Sequence, residues 1–159
     1  MRGASRGAYG LVVAPLDIFN DTWSRCGHIE GLYAFLAPRL TGALQPDELL
    51  RAEWVARVSA LDLFVHELVA QNMLAVFDGS RTETDSFKKF MVPWETLNRI
   101  RNAGSAQDAS AAFDLEVRSR LSVITYQDPE KIADGIRLIS GIELWNEIAL
   151  SQGANQANK

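Results

Sequence analysis

The chain has 159 residues with 47% hydrophobic and 23% charged side chains, the balance of one ordinary globular domain and not of a disordered or fibrous chain. Sixteen Lys and Arg against twenty Asp and Glu give a formal net charge of -4, which excludes a cationic sheath for nucleic acid over the whole surface and leaves at most a local patch. The single cysteine, Cys26, excludes an intramolecular disulfide and a Cys-rich zinc site, and fits a reducing cytoplasm.

Residues 1–14 carry three glycines and no periodicity up to Gly10, and are expected to be a flexible arm too short in its apolar run, Leu11 to Ala14, for a signal peptide. A helical domain is expected over 15–152. Pro15 suits a first helical position, and Leu16, Phe19, Trp23, Cys26, Leu32, Phe35 and Leu36 recur at three- and four-residue steps until Pro38. Thr41 to Pro46 reads as a turn, with Asp47 as the N-cap of a long helix whose apolar positions, from Leu49 through Trp54, Val58, Val65 and Val69 to Val76, keep to one side until Asp78-Gly79. Within it Asp62, His66, Glu67, Gln71 and Asn72 interrupt the stretch Leu61 to Phe77, which falls short of the ~20 clean apolar residues of a membrane span.

Phe87, Phe90 and Met91 predict a short helix that Pro93 interrupts, with Trp94, Leu97 and Ile100 continuing beyond it. Ala111 to Ile124 predicts a further helix ending near Tyr126. Asp128, Pro129 and Glu130 open another, carrying Ile132, Ile136 and Ile139, which Ser140-Gly141 divides from Leu144, Trp145 and Ile148. Residues 153–159 read as a flexible tail. No stretch alternates with period two, so the fold class is all-α.

Neither histidine has metal-ligand spacing, no phosphate loop or serine-hydrolase elbow is present, and no cofactor is expected. One polar constellation remains. At 100° per residue Arg51, Asp62 and His66 fall on the stripe of Val55, Val58 and Val69, which makes them the candidate catalytic residues; the structural alternative is that Asp62 and His66 form a local pair pinning a neighbouring element. Lys88, Lys89, Arg99 and Arg101 are the candidate nucleic-acid contacts, with a solvated face as the plainer reading. The four tryptophans, at apolar positions of four helices, read as core or interface residues.

Residues 49–69, Leu-Leu-Arg-Ala-Glu-Trp-Val-Ala-Arg-Val-Ser-Ala-Leu-Asp-Leu-Phe-Val-His-Glu-Leu-Val, resemble the central helix of the RiboL-PSP-HEPN family, a branch of the HEPN superfamily. Thr125 to Ser140 and Leu144-Trp145-Asn146-Glu147 resemble its later segment, and with Leu16-Asp17-Ile18-Phe19 the likeness covers residues 15–150. The resemblance implies a helical bundle around one long central helix, homodimeric and cytoplasmic, with RNA, a protein partner or a cognate antitoxin as its partners and no membrane. It further implies a bacterial toxin or anti-phage defence system in which active members are metal-independent ribonucleases. Their Arg-X(4–6)-His motif is missing: Arg25 precedes His28 with two residues between, and Arg57 precedes His66 with eight. The expectation is therefore either a fragment whose catalytic helix lies elsewhere or a shortened, inactive relative; the alternative function is a non-catalytic oligomerisation or partner-binding module.

Overall fold

A computed structural model describes residues 14–40 and 45–153; the expected N-terminal arm up to residue 13, most of the expected Thr41 to Pro46 turn and the expected tail from 154 lie outside the described residues. The described chain is all-α: six helices, α1 (Pro15–Leu36), α2 (Asp47–Phe77), α3 (Trp94–Arg101), α4 (Ala106–Leu121), α5 (Pro129–Ile139) and α6 (Leu144–Ser151), with a 3-10 turn at Phe87–Lys89 and no strand among them. The chain divides into two compact units, Met1–Arg57 and Val58–Lys159, with the boundary inside α2.

In the first unit α1 and the opening turns of α2 are tied at two levels. The Tyr33 hydroxyl donates to Asp47 Oδ1 (3.3 Å), and the Arg57 guanidinium lies 4.6 Å from the centre of the Trp23 ring while pairing with Glu53 at 2.6 Å. Tyr33 meets the start of α2 and Trp23 a point ten residues on, so the two helices run antiparallel. Asp47 is itself the first helical residue and not the cap before it, and its place in the first turn suits the positive end of the helix dipole. Among the described residues of this unit only Cys26, in α1, and Glu53, in α2, are buried.

The second unit holds the core. Val65, Val69, Ala70 and Met73 of α2 pack with Phe113, Val117 and Leu121 of α4, Tyr126, and Ile136 and Ile139 of α5. Phe77 stacks on Phe113 (4.3 Å, 9° between planes), and Phe90 meets the same ring edge-on at 6.2 Å. Gly79, at φ 75°, turns the chain out of α2 as Ser80 and Arg81 donate their N–H groups to the Ala75 carbonyl. The start of α5 is as expected, with Asp128 accepting from the Glu130 N–H (2.9 Å) and Pro129 at the first helical position. A methyl group at Gly135 would come within 2.8 Å of the Tyr126 ring, so the α5 backbone closes on that ring only because residue 135 has no side chain.

Two further expectations are corrected, and of the core-or-interface reading of the tryptophans the core half falls. The helix expected to end near Tyr126 stops at Leu121, because residues 124–126 are held by side chains of α2 instead; its start at Ala106 is set by Ser105, whose hydroxyl accepts from the Asp108 N–H. The α2 stripe is buried only in its second half: Trp54 is 70% exposed and Val55 lies open, whereas Val69 and Met73 are fully covered. None of the four tryptophans is in the core; Trp23, the most covered, is still 42% exposed. By length and composition α2 suffices to cross a membrane, yet Val65, Val69, Ala70, Met73 and Val76 are covered by protein, as in a core helix.

Candidate functional site

The second half of α2 sends a row of polar side chains, Asp62, His66 and Glu67, towards α4 and the loop that follows it. Asp62 Oδ1 accepts the Tyr126 N–H, and His66 Nε2 lies 3.1 Å from the Ile124 carbonyl. A carbonyl only accepts, so Nε2 carries the proton. The same nitrogen is 3.6 Å from Asp62 Oδ2, and the imidazole meets the Tyr126 ring edge-on at 4.7 Å. Asp62 and His66, four residues apart, thus share one helical face and together fasten residues 124 and 126 where α4 has ended. The Tyr126 hydroxyl has no hydrogen-bond partner, and burial, aided by the negative charges of Asp62 and Asp134, pushes its pKa up to about 12.

Beside this fastening lies an open cleft of about 270 Å³ lined by His66, Glu67, Ala70, Arg118, Leu121 and Ser122. Arg118, on α4, is the arginine that shares a cleft with His66, and the two are fifty-two positions apart in sequence. Its guanidinium is held by two carboxylates: Nη1 and Nη2 bind the two oxygens of Glu67 at 2.6 and 3.1 Å, and Nε binds Asp114 at 2.9 Å. The hydrogen bond to Glu67 raises the Arg118 pKa, and the same bond holds the Glu67 carboxyl below the usual glutamate range against the opposing effect of its burial.

The geometry limits the chemistry. RNA cleavage by histidine and arginine needs an imidazole free to take a proton and a guanidinium free to grip phosphate. Here the imidazole is held through its Nε2–H, which leaves Nδ1 as the nitrogen that can take a proton, but the guanidinium beside it is neutralised by two carboxylates, with Asp62 a third acid close by. An incoming phosphate would meet surplus negative charge.

The remaining candidates lie apart from the cleft. Arg51 belongs to the first unit and pairs with Glu48 at 2.6 Å, both well exposed, and is not among the residues that line the cleft. Lys88 pairs with Asp85 (3.2 Å) and Arg99 with Glu95 (2.5 Å); Arg101 lies 5.6 Å from the centre of the Trp94 ring, and Lys89 is exposed with no ion pair among the described residues. Among the described residues no group of three or more His, Cys, Asp or Glu could hold a metal ion. Asp114-X3-Arg118 is a helical pair visible in sequence, but nothing in sequence joins Arg118 to Glu67.

Neither a family model nor a curated protein nor a solved structure matches this chain at a significant level, so the HEPN resemblance rests on the quoted residues themselves.

Proposed function

We propose that this chain is a HEPN-type helical module of a bacterial toxin or anti-phage defence system that acts by associating through its helices, first with a second copy of itself, and not by cutting RNA. The observation that carries this reading is the apolar surface of the first unit. Leu16, Trp23, Phe35, Leu50, Trp54 and Val55 all stay exposed on α1 and the start of α2, apolar side chains that a partner surface would cover. Aromatic anchors of this kind dominate interface energetics once covered. The pairing of Arg118 with Glu67 and Asp114 supports the non-catalytic half of the reading.

Light scattering of the purified chain at micromolar concentration tests the association. A dimer that Trp54→Asp converts to monomer, with the helical content unchanged, is expected; a clean monomer in the unaltered chain overturns the reading. Incubation with labelled single-stranded RNA in EDTA tests the absence of cleavage. EDTA-resistant cutting abolished by His66→Ala would restore the ribonuclease reading, with Arg118 as the first arginine to substitute.

A further inference from the structure

From the surface around α3 we infer that the chain carries a second binding site, for single-stranded nucleic acid, built on Trp94 and the cations on either side of it. Trp94 opens α3 and is 65% exposed, and Met91, just before it, is 77% exposed. Arg101 lies two helical turns further on the same face, its guanidinium 5.6 Å from the indole centre, which fixes one side of the ring and leaves the rest open to solvent. An exposed indole braced by a guanidinium is a stacking platform for a base, and every base has a face to offer it.

The charges around the ring suit the phosphates that such a strand brings. Residues 85–101 contain four bases, Lys88, Lys89, Arg99 and Arg101, against two acids, Asp85 and Glu95, so this segment is positive in a chain whose net charge is -4. Lys89 is without an ion pair among the described residues; Lys88–Asp85 and Arg99–Glu95 are exposed local pairs of the kind worth little, which a phosphate can displace. The two halves of the patch are held on one stretch of α4. Arg120 lies 5.4 Å from the Phe90 ring and binds Glu116 at 2.6 Å, and Glu116 accepts from the Thr96 hydroxyl of α3 at 2.9 Å. Lys89 and Trp94 are five residues apart, at most about 18 Å even for an extended chain, within reach of one short strand.

This site is separate from the association surface proposed above, and the two can fail independently. The test is fluorescence anisotropy of labelled 20-nucleotide single-stranded RNA and DNA with the full chain at low salt, with a duplex of the same sequence and a poly-glutamate competitor as further arms. Binding is expected to prefer single strands, to weaken about tenfold in Trp94→Ala, and to fall with salt less steeply in Lys89→Ala than in the unaltered chain. Trp145→Ala and the association variant Trp54→Asp are expected to bind as the unaltered chain does. Absence of binding at low salt, equal binding by Trp94→Ala, or complete competition by poly-glutamate would each overturn the inference, the last by showing a surface for any polyanion.

Discussion

The two units use similar residues to opposite effect. In the second, side chains of α2, α4 and α5 surround Val69, Met73 and Val117 until no solvent reaches them; in the first, α1 and the start of α2 carry a similar share of large apolar residues and bury only Cys26 and Glu53. A pair of helices has one contact line, and residues spread around both cylinders, as Leu16, Leu32, Phe35 and Val55 are, cannot all reach it. Three elements around a shared line leave none of their inner positions outside. Apolar residues recur along α2 on both sides of residue 58, and the number of neighbours decides whether they become core or surface.

The sharpest test of that difference is a matched pair of truncations. Met73→Ala is expected to cost about 2–5 kcal/mol in urea unfolding, because it leaves a cavity among residues that cannot collapse onto it. Trp54→Ala, though it deletes more atoms, is expected to change the stability of the dissociated chain by less than about 0.5 kcal/mol. Equal costs would mean that the first unit has a core of its own.

Next in size is Asp62→Ala. It strands the Tyr126 N–H and removes the carboxylate beside His66, and a loss of about 1–3 kcal/mol is expected. An unchanged urea midpoint would show that the loop after α4 is held by packing alone.

The smallest effect is in acid. The Arg118 hydrogen bond lowers the Glu67 pKa in the folded state, so the stabilisation is complete above the unfolded glutamate value of about 4.3 and is lost as pH falls through the lower folded value. Glu116, lowered by Arg120 and then by Thr96, acts with the same sign. Stability should therefore decline below about pH 4.3, and Glu67→Gln should flatten that decline without abolishing it. An identical acid profile in the variant would show that the Glu67–Arg118 pair forms no more readily in the fold than in the unfolded chain.

Much of this architecture was legible in advance. Asp128-Pro129 marked the start of α5, Asp78-Gly79 the end of α2, and the three-and-four spacing of apolar residues the helices themselves, because caps, breakers and periodicity are local properties of the chain. The pairing of Asp62 with His66 was visible for the same reason, being one helical turn. Their true targets, the Ile124 carbonyl and the Tyr126 N–H, were not, and neither was the early end of α4, which gives way because its next residues bond to α2.

By itself, then, the sequence determined the class of fold, the places where helices begin and stop, and which side chains share a face, all of which follow from interactions within a few residues. Tertiary structure alone decided that Arg118 faces Glu67 across 51 positions, that all four tryptophans stay near the surface, and that one half of α2 is core while the other is not. Those outcomes depend on how many elements meet at a point. Contacts between residues far apart in sequence are set by the summed packing of the whole unit, which no local spacing encodes.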